Sequence, residues 1–386
     1  MRLQCTVAGV LLIGSSLWLQ AFANPMVMSR TPEKVSKIAP KVFIVSMFEP
    51  ETEIWWGIPE FDLLAHNITV PGLSPIYPDS EINAATTIMA LTLSPLFDLR
   101  KTYFFIAGIA GVNPERATIG SVTFARFAVQ VALQHEIDPR ELPANYSTGY
   151  IPQGSYLPNQ FPGNIYGTEV FEVNDDLRAI AVLFAQQAKL ADSSAAQVYR
   201  AKYATPDGQK KIGALPPSVV KCDVATSDVY YSGNILSSGF DNITSVWTNG
   251  TGQYCSTAQE DNATLEALLR SSVRNLTDFS RIIVMRTASD FDRPHPGEEA
   301  VYHLLYANQG GFKPAVQNIY LAGVKVVEGI LSGWNTTFAA GVTPSNYIGD
   351  MFGSLGGTPD FGPGRQLSLA DAGVLRKRGL PKVRFA

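Results

Sequence analysis

Short apolar runs alternate with stretches of helical periodicity along this chain. Residues 41–46, Lys41-Val42-Phe43-Ile44-Val45-Ser46, form a first run, and 102–107 form a second that breaks at Gly108 and turns through Gly111, Asn113 and Pro114. β-like character resumes over 119–127 after Gly120 and again over 218–225. The run 281–290, Arg281-Ile282-Ile283-Val284-Met285-Arg286-Thr287-Ala288-Ser289-Asp290, is apolar and β-branched until it ends in Ser289-Asp290, and turn-rich residues follow. Unbroken apolar runs of this length predict strands buried on both faces, as in parallel sheets.

Between the runs the period changes to that of a helix. Over 81–91, Ile82, Ala85, Thr86, Met89 and Ala90 share one face, and over 175–189 Leu177, Ile180, Ala181, Phe184 and Ala188 do the same. Residues 262–270 and 317–331 predict two further helices. Strands alternating with helices predict a layered α/β domain. The segment 142–167, rich in Pro, Asn, Gly and Tyr, predicts a long surface excursion of the kind that often borders a binding site.

The ends of the chain are of a different character. Arg2, an apolar stretch over 7–19 and Ala21-Phe22-Ala23 predict a secretory signal peptide over 1–23, followed by a polar leader over 24–40. Residues 366–386 form a basic C-terminal tail. No later segment reaches the roughly 18 apolar residues of a membrane span, so the chain is expected outside the cell or at the cell wall, with no transmembrane span. Export suits Cys222 and Cys255, which remain after Cys5 leaves with the signal as one possible disulfide. It also suits Asn-x-Ser/Thr sequons at Asn67, Asn145, Asn242, Asn249, Asn262, Asn275 and Asn335, several of which are expected to carry glycan. Charged residues make up 17% against about 25% in ordinary soluble domains, while 46% are hydrophobic, enough for a large core. The net charge of −4 and the lack of a basic stripe argue against a nucleic-acid partner.

Candidate chemistry gathers at strand ends and helix starts, where open α/β sheets place their sites. Asp290 stands where a catalytic acid would stand, or caps a turn. Glu49-Pro50-Glu51 follows the first run, Gly108-Ile109-Ala110-Gly111 the second, and Thr226-Ser227-Asp228-Val229-Tyr230-Tyr231 the run 218–225; Gln259-Glu260-Asp261-Asn262 opens a helix. Gly108 and Gly111 allow a tight turn beside a ligand, or merely break a strand. Arg286 suits an anion, with Asp290 or a nearby carboxylate an equally plausible partner. His66, His135, His295 and His303 lack metal-ligand spacing, and no metal or cofactor is expected.

That order of motifs resembles the nucleoside phosphorylase and nucleosidase superfamily. With Val170-Phe171-Glu172-Val173-Asn174 and Arg286-Thr287-Ala288-Ser289-Asp290-Phe291-Asp292-Arg293-Pro294, residues 41–365 resemble the fungal purine nucleoside permease family. The resemblance implies one nucleoside-phosphorylase-like α/β domain with a central mixed β-sheet flanked by helices, a purine ribonucleoside as ligand, and a homo-oligomer. It implies that Asp290, oriented by Ser289, protonates purine N7, that Glu260 holds the ribose hydroxyls, and that Tyr230 stacks on the base. Phosphorolytic members place a Gly-rich phosphate loop after the first strand. Here Glu49 and Glu51 would repel a phosphate dianion and Pro50 removes an amide donor, so Glu51 is expected to direct water and the chain to be a nucleosidase. A phosphate-using phosphorylase and a non-catalytic nucleoside-binding component of transport are the alternatives.

Overall fold

The computed structural model describes residues 36–73, 77–204 and 212–362. The signal peptide, most of the polar leader and the basic tail lie outside the described residues. The chain divides into two units, and every element below belongs to the one that begins at Lys37.

In chain order the strands are β1 (Val42–Val45), β2 (Tyr103–Val112), β3 (Val122–Ala125), β4 (Phe127–Gln130), β5 (Gln134–Glu136), β6 (Tyr150–Pro152), β7 (Val170–Glu172), β8 (Val219–Lys221), β9 (Asp223–Thr226), β10 (Tyr254–Ala258), β11 (Ile282–Phe291) and β12 (Gly349–Asp350). The α-helices are α1 (Glu49–Glu53), α2 (Ser80–Leu93), α3 (Asp175–Ala185), α4 (Ser194–Arg200), α5 (Asn234–Trp247), α6 (Asp261–Val273), α7 (Ala300–Leu305) and α8 (Phe312–Ser332). One mixed sheet runs β12-β7-β4-β9-β10-β2-β11-β3-β8, with β1 also paired to β2, and β5 and β6 form a separate hairpin. The fold is therefore α/β with a central mixed sheet flanked by helices.

Alternation along β2 and β11 explains the layering. Tyr103, Phe105, Ile283 and Met285 pack on Leu177 and Ala181 of α3 and on Ile319, Ala322 and Ile330 of α8. Phe104, Ile106, Ile282 and Val284 face the other way, onto Ile88 and Leu91 of α2 and Leu265 and Leu268 of α6. Side chains two apart share a face of the sheet, so one apolar run feeds two cores. Among the described residues no helix is long and apolar enough to cross a membrane.

Three expectations need correction. β2 does not break at Gly108 but continues to Val112, pairing Gly108 with Arg286 on parallel β11 and Gly111 with Thr257 on antiparallel β10. Extended glycines keep a strand going when neighbouring strands supply its hydrogen bonds. In α2 the buried face is Ala84, Ile88, Leu91 and Thr92, whereas Ile82 is 75% exposed; packing on α6 selects the face. The run 218–225 is split at Cys222 into β8 and β9, which join different neighbours.

Cys222 and Cys255 are buried and joined by a disulfide, with Cα atoms 5.6 Å apart and a sequence separation of 33. The bridge ties β10 to the chain entering β9, and both strands lead into the cavity described below. Replacing both cysteines by Ala is expected to lower stability by about 2–4 kcal/mol through the freer unfolded chain. Urea unfolding checks this, and an unchanged midpoint would contradict it.

Candidate active site

The long strand β2 has more partners than fit side by side along one edge. β1 covers it from Tyr103 to Ile106, and β10 reaches only Gly111 and Val112. Ala107–Ala110 is left without a strand partner on that side, and the carboxylate of Glu51 enters the gap. Glu51 Oε1 accepts from Ile109 N at 2.6 Å and Oε2 from Met47 N at 2.7 Å. α1 makes this possible: Pro50 sits in its first turn, where no amide is needed, and the turn carries Glu51 inward. Glu51 is only 1% exposed.

Gly108 is required here because of space. A Cβ there would lie 2.5 Å from Arg286 Nη1 and 2.7 Å from Glu51 Oε1. At Gly111 a Cβ would lie 2.5 Å from Thr257 Oγ1. Both glycines are thus close-approach positions within a strand.

Arg286, buried on β11, is the hub of the site. Its Nη2 donates to Glu260 Oε2 and to Asp261 Oδ1, each at 2.9 Å, and its Nε donates to Asp261 Oδ2 at 3.2 Å. Glu260 occupies the residue before the first turn of α6 and Asp261 the first position within it. Of the two partners open to Arg286, the neighbouring carboxylates win over Asp290. Burial pushes the Glu51 carboxyl up to about 7, against the pull of Arg286 and its two backbone donors, with Glu260 adding to the rise. Glu260 is likewise raised by burial and lowered by Arg286.

Asp290 lies near the end of β11, where the register against β2 shifts between Ala288 and Asp290. A bulge of this kind re-aims side chains beside a site. Ser289 Oγ donates to Asp290 Oδ1 at 2.7 Å and lies 3.1 Å from Ala110 O. Asp290 keeps an open face to the cavity, yet the surrounding protein raises its carboxyl above the usual range, with the Ser289 bond opposing the rise and Asp292 adding to it. Asp292 is buried, gripped by Arg293 at 2.8 and 2.9 Å and by Tyr254 Oη at 2.5 Å.

These groups meet around one cavity of about 410 Å³. Glu51, Glu260, Asp290, Ser289, Tyr230 and Gly111 all line it, and of the expected site residues Gly108 alone stands behind the wall. Tyr230 is 77% exposed at the mouth, its Oη donating to Gln259 Oε1 at 2.9 Å. Asp228 and Ser227 hold the loop: Glu81 N donates to Asp228 Oδ1 at 3.0 Å and Val229 N to Ser227 Oγ at 2.9 Å. His295 is elsewhere, packed against Tyr199 and Tyr203 with ring centres 5.7 Å apart. Sequence reasoning missed Thr257, Asp292 and the tie of Arg286 to Asp261. The pair Glu260-Asp261 at a helix start was the available signal.

The chain is thus an α/β protein that gathers carboxyl side chains from distant parts of its sequence, among them Glu51, Glu260 and Asp290, at one small cavity. The family model for purine nucleoside permease (NUP) matches residues 39–343. The purine nucleoside permease of Candida albicans is 44% identical over 344 residues, 84% of this chain and 83% of its own. A probable purine nucleoside permease of Schizosaccharomyces pombe is 38% identical over 326 residues, 78% of this chain and 92% of its own. The chain belongs to the purine nucleoside permease family. Among solved structures it is similar to a 5′-methylthioadenosine/S-adenosylhomocysteine nucleosidase from Neisseria meningitidis (14% identity, TM-score 0.40, 74% of this chain and 98% of that one). It is also similar to the futalosine hydrolase of Helicobacter pylori (14%, TM-score 0.42, 75% and 97%).

Proposed function

We propose that this protein is exported and cleaves the N-glycosidic bond of purine ribonucleosides with water, giving free base and ribose for uptake. The observation that carries the reading is the meeting of Glu51, Glu260, Asp290 and Tyr230 in one cavity. Its volume falls within the roughly 300–1,000 Å³ of small-ligand pockets. In the proposed reaction protonated Asp290 donates to the purine ring as the bond to C1′ breaks and its electron pair leaves with the base. Ionised Glu51 takes a proton from the water that bonds to C1′. The two protons balance, and solvent returns each carboxyl to its starting state. Glu260, with its neighbour Arg286, holds the ribose hydroxyls and faces the positive charge that develops on the sugar. Tyr230 covers the base from the mouth.

Water is favoured over phosphate by charge. Among the described residues lining the cavity, Arg286 is the sole cation, and it is already committed to Glu260 and Asp261. Glu51, Asp79, Glu260 and Asp292 line the same space and would repel a dianion. Inosine, adenosine and guanosine incubated with the purified protein in phosphate-free buffer, followed by chromatography, tests the reading. Free base and ribose are expected; base release only when phosphate is added would favour phosphorolysis. The relatives' name favours a second reading, non-catalytic nucleoside binding in transport, for which nucleoside would bind and no base appear.

A pH profile tests the role of Glu51. Its carboxyl, raised to about 7, is protonated below that pH and cannot accept a proton from water. Turnover is therefore expected to rise as pH passes upward through about 7. Glu51→Gln should remove the rising limb and lower turnover about 10²–10⁴-fold. A rising limb that survives in Glu51→Gln would assign it to another group.

A further inference from the structure

The seven sequons, alike in sequence, differ in their surroundings. Asn67, Asn145, Asn242, Asn249, Asn275 and Asn335 are all exposed. Asn242 stands on α5 outside its buried face of Ser237, Phe240, Ile243, Thr244 and Trp247. Asn249 and Asn275 follow the ends of α5 and α6 with φ of 53° and 55°, left-handed positions that Asn tolerates and that carry it out of the helix. Asn249 Nδ2 donates to Asp360 O at 3.0 Å, which still leaves its second amide hydrogen for substitution.

Asn262 is different. It is 2% exposed in the first turn of α6, two residues after Glu260. Its Nδ2 donates to Thr168 O at 2.7 Å and to Glu169 O at 3.4 Å. A sugar on that nitrogen would displace both carbonyl partners and push the start of α6 off the loop before β7. A chain modified there could not assemble the Glu260–Asp261–Arg286 group.

We propose that the exported chain carries N-linked oligosaccharide at Asn67, Asn145, Asn242, Asn249, Asn275 and Asn335, and that Asn262 stays bare as an internal structural amide. The inference rests on the export part of the reading above. None of the seven lines the cavity, so the oligosaccharides leave the site itself unoccupied.

The full chain is expressed through a eukaryotic secretory route and collected from the medium. Peptide-N-glycosidase in heavy-oxygen water then marks each formerly occupied Asn as labelled Asp. Label is expected at the six exposed positions and absent from Asn262. Thr264→Val deletes the seventh sequon while keeping the Asn262 amide, and it removes a hydroxyl that is buried without a partner. Its glycan mass is expected to equal that of the parent. Label at Asn262, a loss of glycan mass in Thr264→Val, or an exported chain bare at the six would each overturn the inference and leave export standing. Retention in the cytosol would overturn export and the inference together. The cleavage reading is unaffected by any of these results, because turnover is measured separately.

Discussion

Asp290→Asn is expected to lower turnover about 10²–10⁴-fold while nucleoside binding stays close to that of the parent. The substitution keeps size and shape but leaves a group that cannot give up a proton to the base. Ser289 Oγ can still donate to the amide oxygen that replaces Asp290 Oδ1, so the local geometry survives. Asp290 suits the acid role because the surrounding protein and Asp292 both favour its neutral form. Equilibrium binding of a nucleoside together with single-turnover base release separates the two effects. Equal turnover by parent and variant would remove Asp290 from the chemistry, whereas loss of both binding and turnover would make it a binding group.

Arg286→Met is expected to cost about 3–5 kcal/mol of stability, the largest structural loss for one substitution at this site. The guanidinium stands beside the buried carboxylates of Glu260, Asp261 and Glu51 and donates to the first two. Methionine fills a similar volume but leaves those charges uncompensated away from water. Protonation of Glu51 relieves part of the strain, so the loss should be smaller at low pH than above about 7, where Glu51 ionises in the parent. Adding Asp261→Asn should recover part of the loss, since the two residues are coupled. Urea unfolding of the single and double variants measures it. A loss below about 1 kcal/mol would mean that water reaches the group and screens it.

Much of this arrangement was legible from residue order because the strand pattern is strong. The apolar run ending in Ser289-Asp290 was legible as a buried strand of parallel type with Asp290 at its end, while its pairing with β2 was not. Glu51 and Glu260 were legible as acids at helix starts. The gap in β2 was not, because it arises from two strands, β1 and β10, sharing one edge, and no local pattern records where each of them stops. Gly108 and Gly111 were therefore taken for a break, when they make room for Glu51, Arg286 and Thr257. α5 was missed although Phe240, Ile243 and Trp247 are spaced for one face, since Ser238-Gly239 and Asp241-Asn242 resemble a turn. Arg286 had two plausible partners in sequence, and only the packing of α6 beside β11 decides between them.

The source of the oxygen added to the sugar tests the central claim most directly. Turnover of inosine or adenosine in heavy-oxygen water without phosphate is predicted to give free base and ribose labelled at C1. Unlabelled ribose 1-phosphate formed only when phosphate is present, or bound nucleoside recovered intact, would contradict it.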